Sequence, residues 1–567
     1  MDYKKKIELW LNQTDLDLKL RQELEALTDE KEIEDRFYTD LEFGTGGMRG
    51  KMGAGTNRMN IYTVAKVTRG FGQYLLKKNI QNWEKGVVIA YDSRHLSREF
   101  AEAAAGVFGK MGVVAYLFEE LRPTPELSFA VRHLKAAGGI VITASHNPKE
   151  YNGYKVYGPD GGQMVTESAD ALIAEIATIK DSFDIPTMTL KDGLSQQIIE
   201  MLGEKMDAAF SKAVESVCKP NPDNQIKVVY TPLNGAGNKP VRRVLSDLGY
   251  KDVFVVKEQE FPDGDFSTAP YPNPEDPSVF KLAMALAKEK EADVIIGSDP
   301  DGDRVGVVGR NQQGEFVVFT GNQTGALLVD YYLKTRTDLP ENKIIIKTIV
   351  TSELGGLVAK SYGAAVVDVL TGFKYIGELI THFEKSKEYT FAFGYEESYG
   401  YLAGNYARDK DAVVASALVC EMTDYYKKQG LTLNEALIAL YEKHGYFIED
   451  VVALTLEGIK GKAKIIEIME KFRVASFPGF ANAKLIAFND YECATRHDLL
   501  TGEKKAIDLP KSNVLKFVFD DHSWFALRPS GTEPKLKIYF SVTGKTAKEA
   551  VEKNVVLKKM VSDHIEG

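Results

Sequence analysis

At 567 residues the chain has room for about four domains of ordinary size, and 44% hydrophobic with 27% charged residues describes a globular protein with several cores. A net charge of −10 argues against broad binding to nucleic acid or anionic membrane, though a local basic cleft for phosphates stays compatible with it. Cys218, Cys420 and Cys493 are too few and too scattered for a disulfide framework or a cysteine zinc site.

The opening Met1-Asp2-Tyr3-Lys4-Lys5-Lys6 leads into charged, amphipathic sequence instead of an apolar signal core, and no apolar run reaches membrane-helix length. The expectation is a soluble, cytoplasmic protein. The first forty residues read as a helical extension. Phe43-Gly44-Thr45-Gly46-Gly47-Met48-Arg49-Gly50 reads as a glycine-rich loop that fits neither nucleotide-binding glycine signature. Short apolar runs then recur, separated by helix-length amphipathic segments such as Ser97 to Met111. The runs at 87–91, 113–117 and 139–142 form one block, those at 226–230, 253–256 and 294–296 a second, and those at 344–346, 365–369 and 391–393 a third. Strand–helix–strand alternation implies sheets covered by helices, with ligand loops at the carboxyl ends of strands. The runs at 514–519, 524–527 and 536–540 lie closer together and predict antiparallel pairing. This divides the chain into units at 1–205, 206–320, 321–446 and 447–567, the first seam lying in a helical, charged stretch that ends near Pro220.

Asp92-Ser93-Arg94 follows the first strong run and either carries Arg94 toward a ligand cleft or caps the next helix with its serine. Thr143-Ala144-Ser145-His146-Asn147-Pro148, with Tyr151-Asn152-Gly153-Tyr154-Lys155 after it, is either a polar turn or an activated serine beside a histidine and a lysine. Asp299-Pro300-Asp301-Gly302-Asp303-Arg304 places three carboxylates at alternate positions. Its spacing fails the calcium-loop pattern, and oxygen ligands in so tight a set suit magnesium completed by a phosphate or water. Gly394-Tyr395-Glu396-Glu397-Ser398-Tyr399-Gly400, followed by Arg408-Asp409-Lys410-Asp411, offers acceptors for sugar hydroxyls with basic groups nearby, or else a strand-end turn. Arg528-Pro529-Ser530-Gly531-Thr532-Glu533-Pro534 is an anion cradle or a glycine-proline hairpin loop.

Together, in this order and one per unit, these four loops resemble those of the α-D-phosphohexomutase superfamily, from about Leu41 to the C-terminus. The stretch from Phe43 to Arg49 and Leu370-Thr371-Gly372-Phe373-Lys374-Tyr375-Ile376 most resemble its phosphoglucomutase/phosphopentomutase branch. The resemblance implies an α/β fold of three similar units with mixed sheets plus a C-terminal α+β domain, arranged around a central cleft. It implies that Ser145 carries a phosphoryl group and, with Asp299, Asp301 and Asp303, holds magnesium. Arg49 and Arg304 would stabilise charge, with Lys155 as general acid/base and His146 in support. Thr371, Gly372, Lys374, Glu396, Ser398, Arg408 and Lys410 would contact the substrate, and Arg528, Ser530, Gly531 and Thr532 would cradle its second phosphate. The implied reaction interconverts glucose 1-phosphate and glucose 6-phosphate through glucose 1,6-bisphosphate, which also serves as activator. The alternatives are a phosphopentomutase, a sugar-bisphosphate synthase or a silent sugar-phosphate sensor. Where the mannose branch continues Ser-Gly-His, this chain has Ser398-Tyr399-Gly400, which disfavours mannose and hexosamine phosphates. The expected partners are small sugar phosphates, with no nucleic acid or membrane, for a monomer or weak homodimer.

Overall fold

The computed structural model describes residues 3–44, 46–77, 85–456, 458–475, 477, 479–530 and 535–566. Its first sheet runs Phe43–Gly44, Gly47–Lys51, Tyr151–Tyr157, Gly138–Ile142, Val87–Tyr91, Ala115–Phe118, Ile199–Leu202. The last four strands are mutually parallel, and the first three join antiparallel. Every residue of Val87–Tyr91 and Gly138–Ile142 is buried, because helices cover both faces. That is why these strands read as unbroken apolar runs instead of alternating ones.

The second sheet has the order Phe316–Phe319, Val305–Arg310, Val294–Ser298, Lys227–Thr231, Asp252–Val255, and the third Ala365–Val369, Lys343–Thr348, Thr390–Glu396, Gly400–Ala403. Both are mixed. All three sheets share one device. A parallel strand ends, turns through a short loop and returns antiparallel: Gly138–Ile142 into Tyr151–Tyr157, Val294–Ser298 into Val305–Arg310, and Thr390–Glu396 into Gly400–Ala403. The serine, aspartate and glutamate loops are these three turns.

The fourth sheet is antiparallel throughout, in the order Tyr446–Thr455, Lys535–Gly544, Trp524–Pro529, Leu515–Phe519, Leu485–Asp490, Thr495–Asp498, Lys504–Ala506. Its strand at 524–527 is apolar at every position because the two faces have different partners. Phe525 and Leu527 pack with Phe472 and Leu557 of the unit's own helices, while Trp524 and Ala526 pack with Ile349, Val350 and Leu370 of the third unit. Lys516 reinforces that joint, donating to Ile349 O at 2.7 Å and Glu353 Oε1 at 3.3 Å.

The architecture of three mixed α/β units and a C-terminal sheet domain agrees with the sequence reading. The glycine-rich segment is a correction: Phe43–Gly44 and Gly47–Lys51 form a hairpin on the sheet edge, with Arg49 opposite Gly153. Three helices, Tyr3–Leu11, Leu18–Ala26 and Glu30–Phe37, pack Trp10, Leu24 and Phe37 against the first unit at Ala54. Asp17 and Asp29 cap the second and third of these helices. Among the described residues no helix is long and apolar enough to cross a membrane.

Candidate active site

The chain leaves strand Gly138–Ile142 and turns sharply, with Ser145 in the left-handed region at φ 53°. The turn is held locally: Ser145 N donates to Thr143 Oγ1 at 2.7 Å, and Thr143 Oγ1 donates to Asp92 Oδ2 at 2.6 Å. The Ser145 hydroxyl lies 3.1 Å from Asp299 Oδ2 of the second unit and 3.1 Å from His146 Nδ1. Burial, reinforced by the guanidinium groups of Arg304, Arg49 and Arg94, pushes His146 well below the usual histidine range. Its imidazole is therefore neutral.

Asp299, Asp301 and Asp303 are buried, and one carboxylate oxygen from each lies within 4.8 Å of the others. Asp299 Oδ1 accepts from the amides of Asp303 and Arg304. Asp301 Oδ2 accepts from Lys155 Nζ at 2.7 Å and Thr124 Oγ1 at 3.2 Å, and Asp303 Oδ2 from Lys410 Nζ at 3.0 Å and Lys155 Nζ at 3.3 Å. Burial, with the Asp301 and Asp303 charges, pushes Asp299 well above the ordinary carboxylate range. Although burial opposes it, Lys155 pulls Asp301 below that range. Burial lowers the pKa values of Lys155 and Lys410, yet the aspartates outweigh it and hold both as ammonium ions. Asp301 Oδ1 and Asp303 Oδ1 are left buried with no hydrogen-bond partner. Unsatisfied carboxylate oxygens are costly in a protein interior, so this donor set fits a hard divalent cation.

The aspartate loop is held by three units at once. Its carbonyls at Pro300, Asp301 and Gly302 accept from the amides of Ala236, Thr124 and Ala412, in the second, first and third units respectively. Gly302 has φ +63°, and a side chain there would meet Pro123 at 2.7 Å. Arg304 Nη1 pairs with Glu275 at 2.5 Å, and residue 304 bridges Gly400 of the glutamate loop. Arg49 donates to Asn147 Oδ1 at 2.9 Å, beside the serine turn. Thr124 and Glu275 were missed in the sequence. Neither carries a local signal, since each matters only through a partner far along the chain.

Glu396 is buried, 3.9 Å from Lys410 Nζ, and burial pushes its carboxyl up. Ser398 is half-buried beside it, whereas Tyr399 turns into the core at φ 66°. Gly372, at φ +118°, opens the helix Phe373–Ser386, and Thr371 Oγ1 next to it is buried without a partner. Lys374 lies near enough to Arg528 that, after burial itself, the guanidinium helps to lower its pKa. Lys374 and Arg528 thus place two cations between the third and fourth units. Ser530 N donates to Lys535 O; Gly531 and Thr532 lie outside the described residues.

Arg408 lies apart from the other expected contacts. Its side chain is fully buried away from this cluster and donates to Glu384 Oε2, Thr381 Oγ1 and the carbonyls of Asn405 and Ala407. Its amide donates to Ser128 Oγ of the first unit, and Arg132 of that unit also pairs with Glu384. The neighbouring basic residues therefore diverge, Lys410 to the aspartates and Arg408 to the joint between units. Arg408→Met is expected to cost about 3 kcal/mol by leaving Thr381 Oγ1 and the carbonyls of Asn405 and Ala407 without their donor and removing one of the two arginines paired with Glu384, lowering the calorimetric unfolding midpoint while leaving ligand affinity in the cleft unchanged. An unchanged midpoint would contradict the joint.

The chain is similar to known proteins along almost all of its length. Residues 40–183, 208–314, 320–444 and 466–558 match, in that order, the phosphoglucomutase/phosphomannomutase alpha/beta/alpha domains I, II and III and the C-terminal domain. A protein named phosphoglucomutase from Staphylococcus epidermidis is 40% identical over 515 residues, covering 90% of this chain and 92% of its own. One of the same name from Staphylococcus aureus is 39% identical over 511 residues, covering 90% and 91%. Among solved structures, a phosphoglucomutase/phosphomannomutase family protein from Burkholderia thailandensis aligns with TM-score 0.67 at 18% identity, covering 93% of this chain and 98% of its own. Parafusin, a phosphoglucomutase from Paramecium in an open form, aligns with TM-score 0.68 at 16% identity, covering 93% and 96%. At these identities the structural likeness speaks for the fold.

Proposed function

The chain belongs to the phosphoglucomutase/phosphomannomutase family, and from that premise we propose that this phosphohexomutase interconverts glucose 1-phosphate and glucose 6-phosphate through a phosphorylated Ser145 and a glucose 1,6-bisphosphate intermediate. The observation that carries the reading is the 3.1 Å approach of Ser145 Oγ to Asp299 across two units, next to two partnerless carboxylate oxygens. It supports a nucleophile and a cation site built as one.

Asp299, Asp301 and Asp303 would hold magnesium together with phosphorylated Ser145, and the bound ion would neutralise charge on the transferring phosphoryl oxygens. On the return transfer the new bond joins Ser145 Oγ to the bisphosphate's phosphorus while the sugar oxygen leaves. The hydroxyl proton passes to neutral His146, and Lys155, an ammonium ion here, protonates the sugar oxygen. Arg49 and Arg304 add positive charge where the transition state concentrates negative charge. Glu396 and Ser398 orient the sugar hydroxyls. Thr371, Gly372, Lys374, Lys410 and the fourth unit's loop with Arg528 and Ser530 bind the substrate and its other phosphate, closing the cleft against water. Each unit thus brings one loop to a cytoplasmic enzyme, monomer or weak homodimer, whose partners are small sugar phosphates.

The test is product formation from glucose 1-phosphate and ribose 1-phosphate in parallel, with magnesium and catalytic glucose 1,6-bisphosphate. The glucose ester is expected to have a kcat/KM at least about tenfold higher. A preference for ribose would make the protein a phosphopentomutase instead, and turnover of neither would remove the proposed reaction.

A further inference from the structure

Arg94 has no part in the transfer just described, yet its side chain is buried and all its terminal donors converge on one loop. Nη2 donates to the carbonyls of Ser145 and Asn147, both at 2.5 Å, and Nη1 to those of Pro148 at 2.8 Å and Tyr151 at 3.2 Å. This loop connects two strands and contains a serine in the left-handed region, a conformation that costs about 1 kcal/mol or more. Four carbonyls drawn to one planar cation brace that shape, beside the bonds of Ser145 N to Thr143 Oγ1 and Asn147 N to Ala144 O. Asp92 braces the other side: Oδ1 accepts from Arg94 N and Ser97 Oγ, and Oδ2 accepts from Thr143 and lies 3.2 Å from Arg94 Nε.

The second unit closes over the same guanidinium. The Phe266 ring centroid lies 5.0 Å from Arg94 Cζ, and Phe266 is fully buried with φ +47°. The adjacent Asp265 pairs with Lys149 at 3.1 Å and His95 at 3.3 Å, both in the first unit. The unit that supplies Asp299 therefore grips the serine loop from behind, through Arg94, while presenting Asp299 to Ser145 from the front. We infer that Arg94, stacked on Phe266, is a positioning residue that holds the Ser145 loop in its reactive shape and in register with the aspartate loop, an inference that rests on the reading of Ser145 as the phosphoryl carrier.

Lysine cannot take this place. It offers a single nitrogen where four spread carbonyls need a planar fork, and it lacks the flat face that stacks on Phe266. A displacement of about 1 Å at a reacting atom costs on the order of 100-fold in rate. The experiment uses the full chain with Arg94→Lys, Arg94→Ala and Phe266→Leu, assayed well below their unfolding midpoints, with phosphorylation of Ser145 followed by intact mass. Arg94→Lys is expected to lose about 100-fold in kcat with KM for glucose 1-phosphate within about threefold of wild type. Phe266→Leu is expected to lose about fivefold. Free guanidinium ion at non-denaturing, millimolar concentration should restore part of the Arg94→Ala activity. Arg94→Lys turning over within about threefold of an active, phosphorylated wild type overturns the inference alone. So does a loss in Arg94→Ala that follows its unfolding midpoint with no rescue by guanidinium. A wild type with neither turnover nor phosphoryl group on Ser145 overturns the parent reading, and the inference with it.

Discussion

Ser145→Ala is expected to fold and to lose mutase turnover by a factor of about 10⁴ or more, because no covalent carrier remains. The backbone of the turn does not depend on the hydroxyl. Ser145 N is held by Thr143 and Ser145 O by Arg94, and both contacts survive the substitution. Alanine tolerates the left-handed φ of 53° about as poorly as serine, so little strain is added. What disappears is the oxygen 3.1 Å from both Asp299 and His146. The loss of one partnered hydroxyl costs about 1 kcal/mol, small against the stability of a chain this size. Steady-state assays, thermal melts and intact mass together decide the matter. The variant should melt near wild type, carry no phosphoryl group and show no burst of transfer to added glucose 1-phosphate. Turnover within about tenfold of wild type would place the phosphoryl carrier elsewhere.

The parallel strands could be read from the chain because burial on both faces makes them unbroken apolar runs, as at 87–91 and 294–296. The loops after them were legible because Asp-Pro-Asp-Gly-Asp and Ser-His-Asn-Pro are chemically conspicuous at strand ends. Edge strands were harder. Gly47–Lys51, just inside the two-residue edge strand, has two glycines and Met48 as its one apolar side chain, and Lys504–Ala506 is exposed throughout, so neither has the sequence periodicity that marks a strand. The sequence also could not separate Arg408 from Lys410, two positions apart with the same charge. The choice between joint and cleft is made by Glu384, Thr381 and Ser128, distant residues that reach Arg408 only in the folded chain. Arg94 remained open between a cleft residue and a neighbour of a capping serine for the same reason. Its four acceptors lie 51 to 57 positions away, and the helix Ser97–Lys110 has no side-chain cap.

Asp301→Asn is expected to raise the magnesium concentration for half-maximal activity by about 100-fold, and chelation is expected to abolish wild-type turnover until magnesium returns. The charge balance of the cluster explains the size of the effect. Without a metal, the three aspartates are met by Lys155 and Lys410, and Asp301 Oδ2 takes the shorter of the two Lys155 contacts. Asparagine keeps the shape but removes one negative charge, and its amide must put an NH₂ group either against the Lys155 ammonium or at the oxygen position that now has no partner. Either placement opposes a cation. One fewer carboxylate then faces the same two lysines, leaving less negative charge to draw in a divalent ion. A second readout avoids catalysis altogether. Magnesium at about 100 times its dissociation constant should stabilise the wild type by about 2.7 kcal/mol, as any ligand that binds only the folded state does. The same concentration should stabilise Asp301→Asn by a small fraction of that. Equal magnesium-induced shifts in the melting temperature of the two proteins, together with equal metal requirements for turnover, would remove the metal from this loop and with it the reason for three buried aspartates beside Ser145.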